Sequence, residues 1–268
     1  MRDLGKRNVL GVLVDAVDRE AAVEKVVRAA RQRKSLQVTA LAVHGVMTGN
    51  RDILQRNRLN RFDLVLPDGQ PVRWALNVLH RTKLGSSVRG TDVTMGVLAA
   101  AEREGLAVLF YGSRRETLDR MVARVEHKFP DLQVAGSKPS LFRAIDEKTQ
   151  ATIADELRDS GAEIIFVGLG CPRQETFVHA MSERVGVPMI AVGAAFDYLA
   201  GTLLEPPILL RRWGLEWAWR LLLEPRRLWR RYLLLNPAYL GLLTLQALGV
   251  YRPAAPARGA AGIGRLDA

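Results

Sequence analysis

The chain has 268 residues, 48% of them apolar and 25% charged, a composition that excludes a wholly disordered protein and suffices for one large α/β domain with an appendage. One cysteine, Cys171, excludes an intramolecular disulfide framework and fits a reducing compartment, so the chain is expected in the cytosol. The net charge of +11 is compatible with nucleic acid, an anionic membrane or a polyphosphate substrate, and its placement along the chain has to decide among them.

Val9 to Val14 reads as a short buried strand; Asp15 and Asp18 follow it without a small-residue cleavage site, so no signal peptide is expected. Asp18 to Arg33 reads as an amphipathic helix, with Ala22, Val23, Val26 and Val27 at helical spacing, completing a first β-α step. Further strands are expected at Leu36 to Val43, Asp63 to Pro67, Ala107 to Tyr111, 132 to 136, 163 to 168 and 188 to 192. Helical stretches near 114 to 128, 144 to 159 and 172 to 184 separate the later ones. Continuous apolar strands alternating with helices predict an α/β fold over residues 1–201, a Rossmann-like and mostly parallel sheet covered on both faces. Ligands in such folds bind at the carboxyl ends of the strands.

Past Gly201 the pattern changes. Pro207 to Tyr251 reads as two or three helices broken at Pro225 and Pro237, giving a helical appendage over residues 202–251, and residues 252–268 read as a disordered tail. Arg211 to Arg231 holds seven arginines against two glutamates, together with Trp213, Trp217, Trp219 and Trp229. Arginines interleaved with tryptophans suit an interfacial helix, each basic residue near an anionic surface contributing about 1 kcal/mol. Tyr232 to Val250 is uncharged but interrupted by Asn236, Pro237, Thr244 and Gln246, which argues against a membrane span.

Several strand ends carry candidate chemistry. Asp68, in LVLPDGQPV, is a carboxylate lifted by a turn and able to act as a general base; Pro-Asp-Gly is also plain turn chemistry. Gly112 and Ser113 precede a helix start, where backbone amides can approach an anion, or where glycine serves geometry alone. FVGLGCPRQE (166–175) has Arg173 where a dinucleotide fingerprint needs its third glycine, which excludes a dehydrogenase; Pro172 suits the first helical position, with Arg173, Gln174 and Glu175 in the first turn. In VGAAFDYLAG (192–201), Asp197 either accepts from ribose hydroxyls or caps the next helix. The four histidines lack metal-ligand spacing and no Asp-x-Asp pair occurs, so no metal site is expected.

Together, PDG, RGTD, FVGLGCPRQE, GAAFDYLAG and LEWAWRLLLEPRRLWRRYLLLNP resemble, in order and spacing, the motifs of the WecG/TagA/CpsF glycosyltransferases, from about Val9 to Leu240. The resemblance implies an inverting transfer of a sugar, often N-acetylmannosamine, from a UDP-sugar to an undecaprenyl-diphosphate-linked sugar in bacterial surface polysaccharide or wall polymer synthesis, without an obligatory metal or other cofactor. It implies a peripheral position on the cytoplasmic face of the cell membrane, and self-association. By position, Asp68 resembles the catalytic base, Thr39 the residue lining the acceptor side with Arg89 near it, Gln174 the motif glutamine of the active site and Asp197 the carboxylate on the nucleotide side. Arg220, Arg227 and Arg230 resemble the appendage arginines that reach the diphosphate. The usual Thr-x-Asn is here Thr39-Ala40-Leu41, which puts sugar specificity in question and makes His44 a substitute to examine. Two other classes compete: a nucleotide-sugar-binding scaffold without catalysis, prompted by Leu41, and a basic nucleic-acid-binding protein, which the runs Leu221 to Leu223 and Leu233 to Leu235 oppose.

Overall fold

A computed structural model of the chain describes residues 1–253 and 266–267. The expectation of a disordered tail falls mostly on residues 254–265 and 268, outside the described residues. In chain order the elements are β1 (Asp3–Val9), β2 (Val12–Val17), α1 (Arg19–Arg31), β3 (Leu36–Leu41), α2 (Val43–Arg51), α3 (Ile53–Arg61), β4 (Leu64–Pro67), α4 (Gln70–His80), α5 (Gly90–Glu104), β5 (Val108–Gly112) and α6 (Arg115–Lys128). There follow β6 (Val134–Lys138), β7 (Ala144–Ile145), α7 (Glu147–Asp159), β8 (Ile164–Gly168), α8 (Arg173–Val185), β9 (Pro188–Ala191), α9 (Ala195–Ala200), α10 (Ile208–Arg212), α11 (Glu216–Leu223), α12 (Pro225–Ala247) and β10 (Leu266–Asp267), which pairs with β7.

Six strands form one parallel sheet in the order β4-β3-β9-β8-β5-β6. Strands β4, β5 and β9 are buried along their whole length, which is why they appear in the sequence as unbroken apolar runs. Alternate residues feed two cores. Leu109, Tyr111, Ile165, Val167 and Met189 pack toward α2, α4, α7 and α8 on one face, and Phe110, Ile164, Phe166 and Ile190 toward α1, α5, α6 and α9 on the other. Phe110 stacks on Phe166 at 5.5 Å between ring centroids and meets Phe196 edge-on at 6.0 Å, geometries that add to simple burial.

The first expected strand is corrected. Residues 9–14 are not one strand but the turn region of an antiparallel hairpin, β1 and β2, which reverses at Leu10 and Gly11, both at positive φ. This hairpin is separate from the main sheet and guards its β4 edge. The buried Asp15 carboxylate accepts the Val65 amide of β4 at 2.7 Å and pairs with Lys6 at 3.5 Å, so a donor on the open edge is satisfied. Asp18 caps α1 by accepting from Ala21 N at 2.9 Å.

A second correction concerns Pro237, which lies inside α12 without ending it. Pro237 and Leu233, whose carbonyl loses its helical partner, are both exposed, so water can take that carbonyl. Pro225 does mark a boundary, since it opens α12. The distal half of α12 packs on the body: Tyr239 is buried and donates to Pro71 O at 3.2 Å, and Gln246 bonds both Leu10 N and Asn8 O in the hairpin. Among the described residues no helix is long and apolar enough to cross a membrane.

Candidate active site

The carboxyl ends of β3, β4, β5, β8 and β9 border one cavity of about 1050 Å³, and α11 with the first half of α12 supplies its remaining wall. Asp68, Arg89, Ser113, Gln174, Asp197, Arg220, Arg227 and Arg230 all line it; Thr39 and Gly112 do not. Asp68 and Asp197, 129 positions apart, thus meet because the parallel topology brings every strand's exit to the same edge, and α11 and α12 add Arg220, Arg227 and Arg230 from outside the sheet.

Asp68 stands one residue past β4, its amide bonded to Leu66 O at 2.9 Å and Leu41 O at 3.2 Å. Its half-buried carboxyl is pushed up to about 6, chiefly by burial and then by the Glu216 carboxylate, against the pull of Arg89 and Arg220. Such a group is ionised at neutral pH yet more basic than an ordinary carboxylate, as general-base work requires. Arg89, the residue preceding α5, is 6% exposed and lies 3.1 Å from Glu216 and 3.4 Å from Asp92. Burial lowers its guanidinium, but Glu216, Asp92 and Asp68 more than offset this and hold it above its ordinary value.

On the other side of the cavity Asp197 sits within the first turn of α9, whose cap position is Ala194, so it is not a helix cap. Burial raises its carboxyl, and Arg227 and Arg220 oppose that. Glu224 bridges these two arginines, 2.9 Å from Arg227 and 3.6 Å from Arg220. The Arg230 guanidinium lies 5.2 Å from the centroid of the Trp229 ring, within cation–π range. Arg114 and Arg173 line the cavity as well, so six arginines border a space that also holds a basic carboxylate.

Gly112 serves packing. At φ +113, with a Cβ built there 2.7 Å from Gly168 O, only glycine fits between β5 and β8. The Ser113 amide donates to Gly168 O at 3.0 Å, so it is not available as an anion donor, and Ser113 lines the cavity without lending that amide. Pro172 occupies the cap position of α8 rather than its first helical position.

Beneath the cavity lies a polar cluster that the sequence reading did not single out as such. Glu175 is fully buried; its Oε1 accepts from Thr39 Oγ1 at 2.9 Å and from Gln174 Nε2 at 2.9 Å, while Gln174 Oε1 accepts from Gly170 N at 3.1 Å. Burial raises the Glu175 carboxyl, and its bonds to Gln174 and Thr39 pull it back down. Thr39, also fully buried, therefore supports the floor from below instead of lining the acceptor side. Leu41 is fully buried and borders the cavity from the core, packed against Gly45 so closely that no Cβ fits there. The position expected to hold asparagine thus offers the cavity only an apolar side chain, and His44 lines the cavity beside it. Among the described residues no group of three or more His, Cys, Asp or Glu side chains is placed to hold a metal ion.

Comparison with known proteins fits this arrangement. Over 176 residues, 65% of this chain, it is 31% identical to an N-acetylglucosaminyldiphosphoundecaprenol N-acetyl-beta-D-mannosaminyltransferase of Bacillus spizizenii and 28% identical to the protein of the same name in Bacillus subtilis strain 168. The match spans 66% of the length of each relative. Residues 7–253, from the hairpin to the end of α12 and beyond, match the family described as glycosyl transferase WecG/TagA/CpsF. The chain that gathers Asp68 and six arginines around one cavity belongs to the WecG/TagA/CpsF glycosyl transferase family.

Proposed function

We propose that the protein is an inverting glycosyltransferase that moves a sugar from a UDP-sugar to an undecaprenyl-diphosphate-linked sugar during synthesis of a bacterial surface polymer. The observation that carries this reading is the sharing of one cavity by Asp68 and the guanidinium groups of Arg89, Arg220, Arg227 and Arg230. The names of the two Bacillus relatives support N-acetylmannosamine as the sugar and N-acetylglucosaminyldiphosphoundecaprenol as the acceptor.

In this mechanism Asp68 takes the proton of the acceptor hydroxyl as its oxygen attacks the anomeric carbon of the donor. The anomeric C–O bond to the UDP β-phosphate breaks, and UDP departs with the bonding pair. Negative charge accumulates on the diphosphate, where Arg220 and Arg227, with Arg230 beside them, stabilise it. Those groups take the role that a divalent cation fills in metal-dependent transferases, so no obligatory metal is proposed. Arg89 keeps positive potential beside Asp68, Asp197 receives ribose hydroxyls, and Gln174 faces the sugar from a floor fixed by Glu175.

The acceptor's polyprenyl chain stays in a bilayer, and the outer face of α12 is suited to meet it. Leu233, Leu234, Leu240 and Leu245 are exposed along its length, with Arg226, Trp229 and Arg230 exposed at its basic start. We place that face on the anionic, cytoplasmic side of the cell membrane. The same leucines disfavour a nucleic-acid groove, which would pair phosphates with charge along the whole face.

The test is transfer by the purified full chain from UDP-N-acetylmannosamine to a short-chain polyprenyl-diphosphate N-acetylglucosamine, alongside other UDP-sugars. Product with inverted anomeric configuration is expected, and Asp68→Asn abolishes it. Protein that binds UDP-sugars yet transfers from none of them refutes catalysis; full activity of Asp68→Asn refutes the base assignment.

A further inference from the structure

The segment after Gly201 reaches across the cavity through two closely placed contacts with the body. Gly214, at φ +71, lies so near α4 that a Cβ there would sit 2.8 Å from the Trp74 ring. Two residues later Glu216 opens α11, and its Oε2 lies 3.1 Å from Nε of Arg89, whose side chain is 7% exposed. This ion pair differs in kind from its neighbours. Arg211 with Glu205, Arg220 with Glu224 and Arg227 with Glu224 each join two residues of the same segment. Arg89 with Glu216 instead joins the segment to the helix that follows β4 and α4 in the sheet domain. Arg220 stands four residues after Glu216 on α11, hence on the same helix face, so fixing one fixes the direction of the other.

We infer that Glu216 is a positioning residue: its ion pair with Arg89 clasps α11 to the sheet domain and thereby holds Arg220 over the cavity near Asp68. The inference rests on the proposed UDP-sugar reading for its ligand, but not for the clasp itself. A plain negative charge beside a diphosphate site would repel the ligand, and its removal would tighten binding. A clasp acts in the opposite sense. Once it is broken, α11 has to be ordered at the moment of binding, and affinity falls. The surroundings favour the clasp, because the carboxyl of Glu216, raised by burial, is drawn back toward its charged form first of all by Arg89.

Hydrogen exchange and UDP calorimetry on the full chain, in Glu216→Ala and Glu216→Gln, separate the two. In Glu216→Ala, amides of residues 216–223 should exchange about tenfold faster or more, while residues 239–246, held by Tyr239 and Gln246, stay unchanged. The Kd for UDP should rise about tenfold. Glu216→Gln, which keeps an acceptor for Arg89 but not the charge, falls between wild type and alanine. Unchanged exchange over 216–223 overturns the clasp. Faster exchange with tighter UDP binding overturns the positioning of Arg220. Wild-type protein without affinity for UDP refutes the nucleotide-sugar reading instead, and the exchange result then judges the clasp by itself.

Discussion

Replacing Asp68 by asparagine should make the protein more stable while removing its proposed activity. The carboxyl is lifted in the folded state from an ordinary 3.8 to about 6, so folding favours its neutral form by about 3 kcal/mol. The sign follows from linkage. Below about pH 4 the group is protonated both folded and unfolded and there is no penalty. Between about 4 and 6 the unfolded chain ionises first, and stability declines; above about 6 the full penalty is present. Asparagine has nearly the same shape and never ionises, so at pH 7.5 Asp68→Asn should gain up to about 3 kcal/mol in urea unfolding. For a protein of this size that is a rise in Tm of about 6–12 °C. At pH 4 wild type and variant should unfold at nearly the same urea concentration. A variant equal to or weaker than wild type at pH 7.5, with an unchanged urea dependence, would refute the view that burial dominates at Asp68. A group that costs stability and persists is what a trade between function and stability looks like.

The pH–rate profile of transfer should lose activity with an acid limb centred at about 6, because the base works only when deprotonated; a limb near 4 removes Asp68 from that role. Gly112→Ala, which meets the Gly168 backbone at a strained φ, should destabilise by about 3 kcal/mol or more, read as loss of soluble protein or a large drop in Tm. Leu41→Asn, although it writes the family's usual residue back, buries an amide in an apolar core and should cost about 2–4 kcal/mol in chemical denaturation. Tyr239→Phe, which leaves Pro71 O without its donor, should cost about 1 kcal/mol in the same measurement.

The sheet was legible because strands buried on both faces must be apolar throughout, as in VLFYG and IIFVG. The hairpin was not, because β1 (DLGKRNV) is mostly exposed or half-exposed and its turn, Leu10-Gly11, lacks an asparagine or aspartate ahead of the glycine. The individual site motifs were ambiguous, and only their joint resemblance to one family singled out Asp68, Asp197 and the arginines. Three-dimensional context was needed for Glu175 and Glu216. Nothing local distinguishes Glu175 in a first helical turn from a solvated glutamate, although the polar pair Gln174-Glu175 just ahead of apolar Phe177 and Val178 was a usable hint. Glu216 shows its partner only once residues 127 positions apart are brought together. The burial of Leu41 likewise depends on Gly45, a neighbour whose missing side chain makes room.

The far end of α12 is joined to the β1–β2 hairpin through Gln246, which bonds Leu10 and Asn8, and just past it Asn50 of α2 donates both to Leu10 O and to Tyr251 Oη. The helix is therefore foundation at one end and doorframe at the other. A deletion meant to remove only the face we propose to meet the bilayer would also strip away a wall of the cavity, and any loss of lipid binding would be mixed with unfolding.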